Sequence, residues 1–353
     1  MAAIHQLLRH VKDQRGSDLH LAAGLEPRIR RNGALEPVPG WPVCEPARVL
    51  ELLREVASDA HWEQFERDHD LDFAYGLEGV GRFRVNYLCQ QNGAAAVFRL
   101  IPEIITTLEE LNMPPAIGAL ADIRAGLILV TGPTGSGKST TLAAIIDRIN
   151  STYSKHIVTI EDPVEFVHRN KRCRISQREV GTDTESFSAA LRAAIRQDAE
   201  VIMVGEMRDL ETISLALTAA EMGSVVFGTL HTNGAANTID RLIDAFPVEE
   251  QALVRTTLSE SLAAVVSQLL VRTADGNGRC AVVELLLKTA GLPNLIREGN
   301  TQMIPSLMQS GRAIGMQVMD DALAAMVEAK RVTPREAYLK ATNKARFESL
   351  IDD

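Results

Sequence analysis

The clearest pattern along the chain is a set of short apolar runs that alternate with amphipathic stretches. The runs are 127–130, 157–160, 201–204 and 225–227, and the amphipathic stretches lie near 139–150, 186–197, 210–222 and 235–246. In the first of these stretches, Leu142, Ile145 and Ile149 are spaced as one face of a helix. Continuous Val, Ile and Leu strands separated by helices predict a mostly parallel sheet that is buried on both faces.

The first hundred residues follow a different pattern, in which polar and apolar residues alternate. Alternation over 18–21 and 82–87 predicts strands with one solvated face, 97–100 is predicted as a further strand, and 46–68 has helical spacing. From 250 onwards the chain is predicted to be largely helical. We therefore expect an α+β domain over 1–100, a linker over 101–115 punctuated by Pro102, Pro114 and Pro115, an α/β core over 116–270 and a mostly helical region over 271–353.

Composition excludes several classes of protein. The 353 residues carry a formal net charge of −9, and with four Tyr and two Trp they offer little for phosphate contact or base stacking, so we expect no nucleic-acid partner. No apolar run is long enough to span a bilayer and the first residues lack a signal-peptide pattern, which predicts a cytoplasmic location. The four cysteines are widely spaced, and we assign them no metal and no disulfide.

The strongest chemical signal is a glycine-rich segment between the first apolar run and its helix. It fits G-x-x-x-x-G-K-[ST], the pattern of a phosphate-binding loop, in the required strand-to-helix context. The predicted nucleotide-binding residues are Gly132, Pro133, Thr134, Gly135, Ser136, Gly137, Lys138, Ser139 and Thr140. Backbone N–H groups converge on phosphate oxygens in such loops, Lys138 would reach the β- and γ-phosphates, and the Ser139 hydroxyl would bind Mg²⁺.

Acidic residues and a histidine follow the other apolar runs. Because parallel strands end at one edge of a sheet, we expect Glu161, Glu206 and His231 to lie near the phosphate loop. Carboxylates beside a triphosphate suit water activation and Mg²⁺ binding. Glu206 is the first choice for the residue that orients the attacking water, and Glu161 the second.

Three arginines of the first hundred residues are candidates for a cation that stabilises the transferring phosphoryl group. Arg82 and Arg84 share one face of a predicted strand, and Arg99 lies on another strand. From the pattern alone, a solvated sheet face is the favoured interpretation.

Taken together, these motifs resemble the secretion-ATPase superfamily of type II secretion and type IV pili, and most closely its PilT-type pilus-retraction branch. The resemblance covers nearly the whole chain. The segments that carry it are 16–21, 81–86, 96–99, 131–140, 159–166 (the Asp box), 204–209 (Walker B) and 227–232 (the His box).

The resemblance implies a homo-hexameric ATPase with an N-terminal PAS-like domain and a RecA-like domain, using ATP and Mg²⁺. It implies that Glu206 is the catalytic Walker B glutamate, that Glu161 helps to hold water or metal, and that His231 senses the nucleotide. Arg82, Arg84 and Arg99 would reach the phosphates from the N-terminal domain. The motor would act on the pilus platform protein at the inner face of the cytoplasmic membrane and disassemble the pilus.

Two departures from the family pattern bear on this expectation. Ser224 stands where the family usually has a second histidine, which puts one nucleotide-linked contact in doubt. Leu292 and Pro293 replace the Ile-Arg of a segment that the family ties to retraction, and a proline within a helix would break or kink it.

Several alternatives stay open at this stage. The chain could be an accessory paralogue that works with a retraction ATPase but retracts poorly alone. It could be a pilus-assembly or type II secretion ATPase, although it has no CxxC…CxxC insert. A RecA-like strand protein and a regulator that binds nucleotide without hydrolysis are weaker candidates, because the charge is acidic and Glu206 is present. A GTPase is disfavoured because the chain has no Asn-Lys-x-Asp element.

Overall fold

The computed structural model describes residues 2–31, 34–101, 104–276 and 278–351. The chain divides into two compact units, of which the first comprises 1–104 with 165–167 and the second comprises 105–164 with 168–353. Pro102, which helped to place the predicted linker, lies outside the described residues. Among the described residues, no helix is both long enough and apolar enough to cross a membrane.

The first unit is an antiparallel sheet with helices, and the strands predicted at 18–21, 82–87 and 97–100 are all present in it. Its elements are α1 (Ala3–Asp13), β1 (Asp18–Ala22), β2 (Arg28–Arg31), β3 (Ala34–Pro37), α2 (Pro46–Arg54), α3 (Asp59–Asp68), β4 (Asp70–Leu77), β5 (Gly81–Gln90) and β6 (Gly93–Ile101). The strand order is β3-β2-β1-β6-β5-β4. Strand β5 buries Phe83, Val85 and Tyr87 in the core, so the residues between them lie on the opposite face.

The second unit is built on a seven-stranded sheet. Its elements are α4 (Pro115–Gly118), β7 (Gly126–Thr131), α5 (Lys138–Thr152), β8 (His156–Glu161), β9 (Arg174–Glu179), α6 (Phe187–Ala194), β10 (Val201–Val204), α7 (Leu210–Glu221), β11 (Val225–Leu230), α8 (Ala235–Ile243), α9 (Val248–Ser261), β12 (Leu262–Arg272), β13 (Arg279–Leu287), α10 (Leu292–Arg297), α11 (Ile304–Ser310), α12 (Met319–Glu328), α13 (Pro334–Lys340) and α14 (Ala345–Glu348). The strand order is β13-β12-β7-β11-β10-β8-β9.

Both faces of this sheet are buried, which explains why its inner strands consist of continuous apolar runs. Leu127 and Leu129 of β7 belong to the core on one face, while Ile128 and Val130 belong to the core on the other. The strands from β12 to β9 are all parallel to their neighbours, and only the edge strand β13 is antiparallel. The carboxyl ends of β7, β11, β10 and β8 therefore lie side by side at one edge of the sheet.

The prediction of a largely helical tail is wrong for residues 262–287. Strands β12 and β13 form a long antiparallel hairpin, and β12 extends the parallel sheet beside β7. The hairpin runs across residue 270, where the core was expected to end. Strand β12 is buried on both faces along most of its length, so its sequence lacks the alternation that marks a half-exposed strand.

Pro293 does not kink a helix, contrary to the expectation from the sequence. Helix α10 begins at Leu292, and Pro293 occupies its first turn. A proline costs little there, because the N–H that it lacks has no partner within the helix. Leu292 and Ile296 are buried in the same hydrophobic core as Val254 and Leu258 of α9, so α10 packs against α9.

Candidate functional site

The glycine-rich segment forms a loop between the end of β7 and the start of α5. Gly132, Gly135 and Gly137 have φ values of 139°, 77° and 86°, in the region that side chains other than glycine rarely adopt. Gly137 is the N-cap residue of α5, so the loop leads directly into the amino end of the helix. The partial positive charge of that helix end favours an anion at this position.

The loop is packed at both ends and open at its crest. A Cβ atom at Gly132 would lie 2.2 Å from the carbonyl oxygen of Gln268, and one at Gly137 would lie 2.9 Å from Nε2 of Gln268. A Cβ atom at Gly135 would meet no atom within 4 Å, and Pro133 and Thr134 are exposed. The ends of the loop are therefore held by β12, while its crest leaves room for phosphate groups.

Lys138 lies against the loop that precedes it. Its Nζ donates to the carbonyl oxygens of Gly132 at 2.9 Å and Pro133 at 3.2 Å, and the residue is buried. The ammonium group is thus held beside the loop by neutral oxygens, where an anionic phosphate would be a stronger partner. Ser139 and Thr140 follow in the first turn of α5 and are half-buried.

The predicted acidic residues and His231 are placed at the same sheet edge as the loop. Glu161 ends β8, Glu206 lies two residues beyond β10, and His231 follows β11. The strand order β7-β11-β10-β8 brings the loop, His231, Glu206 and Glu161 to successive strand ends along that edge.

Glu206 is the centre of a small charged cluster. Its Oε1 lies 3.1 Å from Nε2 of His231 and accepts a hydrogen bond from Nε of Arg208. Burial raises the pKa of Glu206, but the hydrogen bonds and charges of Arg208 and His231 outweigh burial, and the net pKa lies below the ordinary value. Glu206 is therefore a carboxylate at neutral pH.

One side-chain and one backbone hydrogen bond join the segments that carry Glu206 and His231. Thr229 Oγ1 donates to the carbonyl oxygen of Gly205, and the Met207 N–H donates to the carbonyl oxygen of Thr229 at 3.0 Å. The segment after β10 is consequently attached to β11 on both sides of Glu206.

Glu161 has partners on its own strand and on the neighbouring one. Its Oε1 accepts hydrogen bonds from Thr159 Oγ1 at 2.7 Å and from Gln177 Nε2 at 3.1 Å. Thr159 and Gln177 are directly paired between β8 and β9. Two donors on one oxygen fix the orientation of a buried carboxylate at the strand end.

The donor groups present fit Mg²⁺ bound together with nucleotide. In the described part of the chain, no group of three or more His, Cys, Asp or Glu residues could hold a metal ion alone. Mg²⁺ characteristically takes one or two protein oxygens and completes its shell with water and phosphate. The hydroxyl of Ser139 and the carboxylate of Glu161 are oxygen donors of that kind.

The three predicted arginines lie on the sheet of the first unit. Arg84 and Arg99 are directly paired between β5 and β6, and Arg82 lies two positions from Arg84 on the same face. Arg99 Nε donates to Asp18 Oδ1 at 2.7 Å. Burial raises the pKa of Asp18, but hydrogen bonds from Ser17 and Arg99 outweigh burial and lower it. Asp18 is thus an ionised anchor for Arg99.

Ser224 lies at the opposite edge of the sheet from the phosphate loop. It precedes β11, whereas His231 follows that strand, so about 20 Å of strand separates the two. The Ser224 hydroxyl donates to the carbonyl oxygen of Ala199 at 3.0 Å. This bond ties Ser224 to the segment before β10, and the doubt about one nucleotide-linked contact at this position stays a prediction.

Four residues in contact with the predicted site were not identified from the sequence as members of it. They are Thr159, Gln177, Arg208 and Gln268. Arg208 follows Glu206 within the Walker B segment, which is a usable signal. Gln268 is a polar residue within an apolar run, a pattern that predicts a buried hydrogen-bonding role once the run is recognised as a strand.

Comparison with known proteins is consistent with this site. The family model described as "Type II/IV secretion system protein" matches residues 2–350. The type IV pilus retraction ATPase PilT of Pseudomonas aeruginosa is 50% identical over 98% of this chain and 99% of its own. A twitching motility protein of Neisseria gonorrhoeae is 47% identical over 97% of this chain and 91% of its own.

A solved structure extends the similarity to three dimensions. The crystal structure of the pilus retraction motor PilT with bound ADP has a TM-score of 0.92 and 42% identity, and the match covers 99% of each chain. The predicted α/β fold class and the predicted family are both confirmed by these matches. The chain therefore belongs to the type II/IV secretion system protein family of secretion ATPases.

Proposed function

We propose that this chain is an ATP-hydrolysing motor that powers retraction of type IV pili. The observation that carries the proposal is its full-length similarity to a pilus retraction ATPase. The complete phosphate loop and the Glu206 cluster support it independently, since they supply what phosphoryl transfer to water requires.

The proposed roles follow the chemistry of each group. The loop from Gly132 to Thr140 binds ATP, with Lys138 on the β- and γ-phosphates. Ser139 binds Mg²⁺, and Glu161 holds the metal or its water. Mg²⁺, when held there, would supply positive charge that neutralises the charge developing on the phosphates. Glu206 orients the attacking water. His231 senses the bound nucleotide through its contact with Glu206.

The assembly that we propose is a homo-hexamer in the cytoplasm, at the inner face of the cytoplasmic membrane. Its partner there is the pilus platform protein, and a paralogous retraction ATPase is a second candidate partner. The domain bounds 1–100, 101–115, 116–270 and 271–353 belong to the same proposal.

We further propose that Arg82, Arg84 and Arg99 contact the nucleotide phosphates. Replacing each singly with Ala is expected to lower kcat for ATP hydrolysis about tenfold, the order of one charge-assisted hydrogen bond. Arg99→Lys keeps a cation beside the buried carboxylate of Asp18. It therefore shows whether a lower rate in Arg99→Ala comes from the lost positive charge on its own or from leaving Asp18 without a cationic partner. Arg67→Ala, at an exposed ion pair of the same unit, is the matched control. Unchanged rates in all three alanine variants would contradict the proposal and favour the interpretation that these arginines belong to a solvated sheet face.

Retraction itself is tested in cells that lack their own retraction ATPase. Expression of this chain is expected to restore shortening of fluorescently labelled pili, and the Glu206→Gln variant is expected not to. ATP turnover by the purified protein is measured in parallel. Pili that never retract, despite intact turnover, would contradict the motor proposal and favour the accessory-paralogue alternative.

Residues 292 and 293 offer a sharper version of that experiment. Because Pro293 fits the first turn of α10, the chain is expected to retract without alteration. If it does not, a variant with Leu292→Ile and Pro293→Arg tests the segment directly. Rescue by that variant would assign the defect to these two residues, and failure of rescue would assign it to the partner.

A further inference from the structure

Gln268 is a buried polar residue on β12, the strand that the sequence did not predict. Its exposed fraction is 1%, and Val265, Val266 and Val271 of the same strand are apolar and buried. Strand β12 pairs with β7 up to Ser267 opposite Thr131, so Gln268 lies beside the point where the phosphate loop begins. A buried amide is costly unless both of its polar atoms find partners.

Both polar atoms of the Gln268 side chain are bonded to the phosphate-loop segment. Nε2 donates to the carbonyl oxygen of Ser136 at 2.7 Å. Oε1 accepts from Thr141 Oγ1 in the first turns of α5 at 2.8 Å. One side chain therefore joins the last turn of the loop to the helix that follows it.

The backbone of Gln268 supports the other end of the loop. Its carbonyl oxygen occupies the space that a Cβ at Gly132 would need, at a distance of 2.2 Å from that position. The same residue is thus in contact with the loop where it leaves β7 and where it enters α5. No other residue identified above contacts both ends from outside the loop.

The bond to Ser136 has a consequence for the N–H groups of the loop. A trans peptide is planar, and its C=O and N–H point in opposite directions. Because Gln268 holds the Ser136 carbonyl toward β12, the N–H of Gly137 points away from Gln268. Fixing that peptide plane preorganises one of the N–H groups that such loops direct at phosphate.

We propose that Gln268 is a positioning residue for the nucleotide phosphates, acting through the loop and not by direct contact. This inference rests on the proposed function, since it takes the loop to be the nucleotide site. It predicts that loss of the Gln268 amide weakens nucleotide binding more than it slows the chemical step.

The test uses Gln268→Met, which keeps the length of the side chain and removes its hydrogen-bonding atoms. Equilibrium binding of a fluorescent ADP analogue and steady-state ATP hydrolysis are measured on the full chain. We expect Kd and KM to rise about tenfold or more, the cost of an unpaired buried carbonyl, with a smaller change in kcat. A merely structural role would instead lower the active fraction, leaving KM unchanged.

Two further variants keep the inference falsifiable if Gln268→Met folds poorly. Thr141→Val removes only the bond to Oε1 of Gln268 and is expected to raise Kd less than Gln268→Met does. Gln268→Glu keeps the acceptor for Thr141 but places a carboxylate oxygen against the Ser136 carbonyl. We expect Gln268→Glu to bind ADP more weakly than Thr141→Val. Equal Kd for both variants and wild type would overturn the inference, as would a fall in kcat with KM unchanged.

The same measurements separate this inference from the proposed function. Wild-type protein that binds no ADP and hydrolyses no ATP would refute the nucleotide site itself. Wild-type binding with unaltered binding by the Gln268 variants would refute only the positioning role.

Discussion

Replacing Glu206 with Gln is expected to reduce steady-state ATP turnover by at least about a hundredfold, the lower range for loss of a general base. ADP binding should stay close to wild type, because Glu206 lies at the end of β10 and the phosphate loop follows β7, with β11 between them. Glutamine preserves the size of the side chain and its acceptor oxygen. The variant therefore tests the charge and not the shape.

The environment of Glu206 lowers its pKa, and this determines how the carboxylate acts on the attacking water. Burial raises its pKa, but the hydrogen bonds and charges of Arg208 and His231 together outweigh burial and hold the pKa below the ordinary 4.5. A carboxylate with a lowered pKa accepts a proton weakly, so its contribution is to orient water and to stabilise positive charge as the proton leaves. Because the charged form persists as the pH falls toward 4.5, loss of activity at mildly acidic pH should arise from another group.

The matched control is Glu221→Gln, at the exposed end of α7. It removes one negative charge from the same unit and should hydrolyse ATP like wild type. Turnover is measured by phosphate release, and binding by the fluorescent ADP analogue. Wild-type turnover in Glu206→Gln would show that the base is elsewhere, and Glu161 would become the first candidate.

The sequence predicted those parts of the site in which local backbone conformation or burial requires a particular residue type. Glycines at 132, 135 and 137 are needed for backbone conformation, and the apolar runs mark strands buried on both faces. Since parallel strands end at one edge, the placement of Glu161, Glu206 and His231 beside the phosphate loop followed from strand polarity, whereas the strand order along that edge differs from chain order.

What the sequence did not reveal depends on pairing between distant segments. Strand β9 is polar and lies at the edge of the sheet, so nothing in its composition marks it as the partner of β8 or places Gln177 on Glu161. No turn residue separates α9, which ends at Ser261, from β12, which begins at Leu262, so the helical pattern obscured the strand although Asp275-Gly276 between β12 and β13 is a hairpin signal. Gln268 could be understood only after β12 was placed next to β7.

Replacing Lys138 with Ala is expected to abolish measurable nucleotide binding at ADP concentrations that saturate the wild type. Lys138 is buried and donates to the carbonyl oxygens of Gly132 and Pro133, so its ammonium group is already beside the position of the phosphates. Removing it deletes the cation and leaves two loop oxygens without this donor. A charge-assisted hydrogen bond contributes about 1.5–3 kcal/mol, which corresponds to about 10–100-fold in Kd for each bond lost.

The loop in Lys138→Ala should nonetheless keep its backbone, because the glycine conformations and the contacts of Gln268 do not involve the lysine side chain. Circular dichroism and thermal unfolding should therefore resemble wild type while ADP binding is lost. Lys340→Ala, at the exposed end of α13, is the matched control and should bind normally. Lys138→Arg should bind ADP with an affinity between those of wild type and Lys138→Ala, since a guanidinium is larger and planar and does not replace a compact ammonium group. Wild-type affinity in Lys138→Ala would mean that backbone N–H groups and the helix end hold the phosphates without this cation.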